Sequence, residues 1–261
     1  MSTTTTASST LQKGVQYGFF FDQSRCTACM ACTVACKTWN KLSPGPTKWL
    51  RIYEWETGAF PTPEINTLFA PCYHCQKPVC VDAANGAMFK EPNYGVVLID
   101  PNQSTSASLR AAWEACPYGS IVFDSDAPNA NASKCTMCVD RLDQGLMPIC
   151  VLSCQMRALD FGPIDSLTNK YGSNAQLTGM PDPSTTNPSV VFKPKDARVQ
   201  RIALDPNQVI SLMGSRGSLP PVYTDSTSVT NITPGLVGRS QLNMKASSTE
   251  NLMSSTSNDD A

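Results

Sequence analysis

Apolar and polar positions along this chain change period every few residues, and the resulting elements are short. VQYGFFFD, Val15–Asp22, is β-branched and aromatic and predicts a strand. WLRIYEWE, Trp49–Glu56, alternates apolar and polar and predicts a second, its aromatic side chains serving as core. The turn-rich GAFPTPEIN that follows reads as a connection. GVVLID (Gly95–Asp100), Ser120–Asp124, ALDFG (Ala158–Gly162) and Asn187–Lys195 are further strands. Helical patterning is confined to Ala31–Lys37, Ser106–Ala115, a turn or two after Cys138, and Asn207–Gly217. Residues 1–15 are Ser/Thr-rich and expected to be disordered, as is the end beyond about residue 245.

Cysteine changes this picture most. The chain has 261 residues and twelve cysteines, and all twelve lie in four groups before residue 155. Cys26, Cys29, Cys32 and Cys36 are spaced C-x2-C-x2-C-x3-C. That spacing lets three thiolates wrap one iron–sulfur cube while the fourth, a helical turn on, reaches a second. Cys72, Cys75 and Cys80 form a three-membered group; Cys116 stands alone before Pro117; Cys135, Cys138, Cys150 and Cys154 end the series.

Zinc and disulfides are the competing uses. Structural zinc takes thiolates from two separated pairs, which suits the last group alone but crowds the first. MSTTTTASSTLQ has neither a basic nor an apolar signal region, so a reducing compartment and metal binding are expected rather than disulfides. The single histidine, His74, offers little for imidazole-based sites and is expected to pack or hydrogen-bond. Net charge is −1 with no basic block, so nothing in the sequence draws nucleic acid. No apolar run reaches the length of a membrane span.

Each cube takes four thiolates, so twelve make three. Reciprocal exchange assigns Cys26, Cys29, Cys32 and Cys154 to a first cluster, and Cys36, Cys135, Cys138 and Cys150 to a second. Cys72, Cys75, Cys80 and Cys116 make the third. The spacing of a further run would put thiols at 84, 106, 109 and 112, where Ala84, Ser106, Leu109 and Ala112 stand instead. One socket has been emptied as a unit. Arg25, Lys37, Lys134, Arg141 and Arg157 flank the ligands, placed to raise cluster potentials. No nucleophile–base pair or phosphate loop is visible, so the chain is expected to carry electrons and not to be catalytic alone.

FFFDQSRCTACMACTVACK, PCYHCQKPVC, ACPYG, KCTMCVDR and PICVLSCQMRALDFG together resemble the iron–sulfur subunit of dimethyl sulfoxide reductase-type molybdopterin oxidoreductases. Gln155 departs from the proline that usually follows the last cysteine. The emptied socket, and Asn85-Gly86-Ala87 after the third group member, are similar to the three-cluster small subunits of pyrogallol–phloroglucinol transhydroxylase and related aromatic hydroxylases. The resemblance implies an α+β fold of two ferredoxin-like modules related by a pseudo-twofold: residues 16–60 with 131–165, and the inserted 61–130. Residues 166–261 become an extended, mostly irregular segment for partner contact. It implies a large catalytic partner carrying molybdenum or tungsten on two pterin guanine dinucleotides, nearest the first cluster. A soluble carrier or membrane anchor completes the circuit, in the cytoplasm or exported folded on a partner's twin-arginine signal. In four-cluster relatives the clusters form a wire, and the missing one is expected in its middle. A free-standing polyferredoxin is the alternative.

Overall fold

The structure, a computed structural model, describes residues 11–45, 47–57 and 64–196. Within them the chain runs β1 (Tyr17–Asp22), α1 (Ala31–Trp39), β2 (Arg51–Thr57), β3 (Glu64–Ala70), α2 (Val79–Ala83), β4 (Met88–Lys90) and β5 (Val97–Ile99). It continues through α3 (Ser106–Ala115), β6 (Ile121–Phe123), β7 (Ala132–Lys134), α4 (Val139–Leu142), α5 (Ile149–Leu152), β8 (Leu159–Pro163), α6 (Ile164–Tyr171) and β9 (Val190–Lys193).

β1 is the centre of the largest sheet. It pairs antiparallel with β8, Phe19 opposite Phe161, and parallel with β9, Phe19 opposite Val190. All six of its residues are buried, which is why it reads as a continuous apolar run rather than an alternating one. Gly18 is required where β9 approaches: a Cβ there would collide with the Ser189 carbonyl. The other sheets are antiparallel pairs, β2–β3, β4–β5 and β6–β7.

The aromatic side chains of β1 and β3 hold the main core together. Phe19 meets Phe69 edge-on at 5.5 Å, and Tyr17 stacks on Phe161 at 5.2 Å. Trp55 and Tyr53 of β2 are buried in the same core. A second core lies between α2 and α3 and contains Ala84, Ala87, Met88, Val97, Leu109, Ala112 and Ile121. A third, smaller one packs Ile164 and Leu167 of α6 against Phe20 and Val191.

Several expectations from the sequence are corrected. β3 begins at Glu64, inside the stretch expected to be a connection, because its residues pair with β2 from Arg51↔Ala70 to Thr57↔Glu64. Residues 11–15 are not a free tail: Leu11 and Val15 pack on the main core, and the Gly14 N–H donates to the Asn93 carbonyl at 2.7 Å. Helix α6 was not expected after residue 165, whereas β9 falls within the strand expected at Asn187–Lys195. Lys193 ties β9 to β1 through Asp22 at 3.0 Å. Burial works against this carboxylate, but hydrogen bonds from Ser24 and Lys193 outweigh it and hold Asp22 below the usual carboxylate range. The expected helix at Asn207–Gly217 and the expected disordered end lie outside the described residues.

Candidate metal centres

The first cysteine group emerges from β1 through a turn in which Ala28 and Met30 take left-handed backbone conformations, φ 51° and 59°. Non-glycine residues adopt this conformation at some cost in energy. The same feature marks the other groups, at His74 (47°) and at Met137 and Cys138 (54° and 51°). These turns aim backbone N–H groups at sulfur. The N–H of His74 lies 3.4 Å from Cys72 Sγ and that of Met137 lies 3.3 Å from Cys135 Sγ. Ala28 makes the corresponding bond to Cys26. Three groups therefore share one device, a donor two residues beyond the first thiol, which favours the thiolate that binds metal.

Cys26, Cys29, Cys32 and Cys154 line one cavity, closed by Phe21, Ile52, Phe69 and Leu159, with about 350 Å³ of atom-free space partly open to solvent. Cys29 is exposed and Cys26 half-buried, so this cavity opens at the surface. Cys36, Cys135, Cys138 and Cys150 line a second cavity of about 310 Å³, under Phe19, Leu50 and Trp49. Cys72, Cys75, Cys80 and Cys116 form a third set whose thiols lie within electrostatic reach of one another.

None of the twelve cysteines is in a disulfide. The thiols of the first two sets stand around cavities, and among the described residues no three His, Cys, Asp or Glu side chains meet at a single-ion site. A tetrahedral zinc, with bonds of about 2.3 Å, draws its sulfurs closer together than that. An iron–sulfur cube holds them apart, so donor type, number and spread fit 4Fe-4S clusters.

Without metal, burial opposes ionisation of several of these thiols. Burial, and then the nearby Cys26 and Cys154, pushes Cys32 up to about 12. Burial and Cys138 do the same to Cys36, also to about 12. In the third set burial with Cys72 and Cys116 raises Cys75, and Cys80 to about 12. Crowded buried thiols that resist ionisation are stabilised once cationic iron accepts them as thiolates.

The sets form a series. Cys150 of the second set feels Cys32 of the first, and Cys135 of the second feels Cys72 of the third. Ala84, Leu109 and Ala112 meet in the apolar core between α2 and α3, which adjoins the third set at Cys80. Ser106 turns away and donates to the Ala130 carbonyl at 3.2 Å.

The five flanking cations differ. Lys134 is buried against thiols. Arg141 is buried beneath Trp39, 4.4 Å from its ring, and its Nε donates to the Met147 carbonyl. Lys37 reaches the carbonyls of Gly45 and Thr47. Arg25 and Arg157 lie at the surface, Arg25 3.8 Å from Asp22. His74 is fully buried, and its Nδ1 accepts the Val97 N–H at 3.0 Å, which makes it a hydrogen-bonding residue. Missed by sequence reasoning was Lys90, whose Nζ donates to the Cys75 carbonyl at 2.9 Å and clamps the third set's loop. No helix among the described residues is long and apolar enough to cross a membrane.

Residues 64–164 match the family model described as a 4Fe-4S dicluster domain. The sequence is 39% identical over 188 residues to an anaerobic dimethyl sulfoxide reductase chain of Escherichia coli, covering 69% of this chain and 89% of that protein. It is 30% identical to a sulfite dehydrogenase subunit of Allochromatium vinosum, over 74% of this chain and 88% of that one. The beta subunit of formate dehydrogenase 2 of Nitratidesulfovibrio vulgaris is 34% identical over 57% of this chain and 77% of its own length. The thiol sets and these relatives agree: this protein belongs to the iron–sulfur subunits of dimethyl sulfoxide reductase-type enzymes.

Proposed function

We propose that this chain is the electron-transfer subunit of a molybdenum or tungsten enzyme and holds three 4Fe-4S clusters in series. The observation that carries the reading is the grouping of twelve thiols into three fours, two of them around separate cavities. Cys26, Cys29, Cys32 and Cys154 hold the first cluster; Cys36, Cys135, Cys138 and Cys150 the second; Cys72, Cys75, Cys80 and Cys116 the third. The clusters supply reversible one-electron chemistry when bound. The chain's own residues position the thiolates, donate N–H groups to them and exclude water.

The catalytic partner is a large chain with a pterin-bound metal, and it docks on the open face of the first site, where Cys29 is exposed. The two modules are read as pseudo-twofold relatives, α1 with α5 in one and α2 with α3 in the other. The emptied socket favours a transhydroxylase-like or aromatic hydroxylase-like complex that stays in the cytoplasm. Anaerobic purification from the native host tests this. Brown protein with about twelve iron atoms per chain, accompanied by a large pterin-bearing chain, is the expected result. Stable isolation of the brown protein without any partner would instead favour a free polyferredoxin, and a colourless zinc protein would end both readings.

A further inference from the structure

We propose that Lys134 is a countercharge shared by the second and third clusters and by them alone; the inference rests on the three-cluster reading above. Its side chain is only 4% exposed, and no carboxylate among the described residues pairs with it. A buried ammonium without an anion is strongly destabilising. An ammonium has three donors. Two of them reach the carbonyls of Val97 and Cys135, the latter at 2.8 Å, and its charge also lies in hydrogen-bonding reach of Cys72. The carbonyls orient the ammonium but do not neutralise it. Thiolates do.

The surroundings place the charge beside the second and third sets. Lys134 acts on Cys72 and Cys80 of the third set and on Cys135 of the second. Cys135 and Cys72 are also the pair through which those two sets feel one another. Lys134 therefore stands at the junction, held by β7 on one side and by the peptide of Val97 in β5 on the other. Val97 also donates its N–H to Nδ1 of His74, between two ligands of the third set. The fold thus fixes the ammonium from both sides and leaves it little freedom to swing away. In the first set, Cys32 responds instead to burial, Cys26 and Cys154.

A reduced cluster carries one more negative charge than an oxidised one, so a fixed cation beside it favours reduction. Replacing Lys134 by methionine keeps most of the length of the side chain and removes the charge. In the full complex, redox titration followed by electron paramagnetic resonance reads each cluster, with signals assigned through Cys29→Ser, Cys138→Ser and Cys80→Ser. Lys134→Met is expected to lower the potentials of the second and third clusters and leave the first in place, and Lys134→Arg to restore most of the loss. Full iron content with no potential moved, or all three moved together, would overturn the proposal. If Lys134→Met loses iron from the second and third sites, Lys134→Arg decides. Iron retained with arginine supports the countercharge, and iron lost with both assigns Lys134 to packing. Iron content of the unaltered protein tests the three-cluster reading separately, since a wild-type chain without three clusters fails before any variant is made.

Discussion

Two helix pairs in this molecule solve the same packing problem with different materials. α1 packs on α5, and the buried side chains at that junction include Cys32, Cys36 and Cys150. α2 packs on α3, and there Ala84, Leu109 and Ala112 fill the space. α1 and α5 are nine and four residues long, and α2 and α3 five and ten, so neither pair is held by helix length or intrinsic propensity. Thiols stand inside the first junction, whereas in the second they stand only at its border, Cys80 in α2 and Cys116 at the end of α3, and the interior is apolar. The contrast shows that small and branched aliphatic side chains keep a helix pair together where the other pair brings thiols into its junction.

The largest effect should come from the metal-binding pair. Cys150→Ser, at a buried cysteine of the second set, is expected to reduce iron by about a third and to expose α1 and α5 to hydrogen exchange. Iron chelation should do the same to both helices while α2 and α3 keep more of their protection. Rebinding after chelation should strengthen as pH rises. Cys32 and Cys36 are held near 12 in the metal-free fold, so each thiol that binds must first release a proton. Equal exchange in the two pairs after chelation would break the comparison.

Refilling the other socket is the converse experiment. Ala84→Cys, Ser106→Cys, Leu109→Cys and Ala112→Cys together should raise iron per chain by about a third. An unchanged iron content would show that the α2–α3 core was never laid out for a cluster. In the chain as it stands, Leu109→Ala should destabilise the protein by about 2–5 kcal/mol without loss of iron, measured by denaturant unfolding and iron assay. The smallest effect is at the start of α3, where Thr105 and Ser108 form a reciprocal cap. Thr105→Ala should cost about 1 kcal/mol and leave all cluster signals unmoved.

How much of this was legible in the sequence depends on the physics involved. β1 was legible because six consecutive buried residues are mostly apolar, and α3 because Leu109 and Ala112 recur at helical spacing. The cysteine sets were legible because ligand spacing is itself a geometric statement. α6 was missed although Ile164, Leu167 and Tyr171 mark one face; Tyr171 stacks on Phe20 at 3.6 Å, a tertiary contact that local pattern does not reveal. β4 and β7, three residues each, are too short to show a period and exist because a partner strand pairs with them. Which sets neighbour one another was not legible, since Cys135 comes within electrostatic reach of Cys72 only in the folded chain. Lys134 was noticed as a nearby cation, but its burial and its lack of a carboxylate were invisible without the fold.

The parallel strand β9 has a consequence for how the molecule is made. Translation adds Cys72 through Cys116 as one uninterrupted stretch, so the innermost four sulfurs are all in the chain before Cys135 is added. The outermost four wait for Cys154, and the sheet beneath them stays open at one edge until Val190–Lys193 arrives to lie along β1. The order of synthesis therefore runs from the nested middle set outward, and the β1 edge of the sheet is covered last.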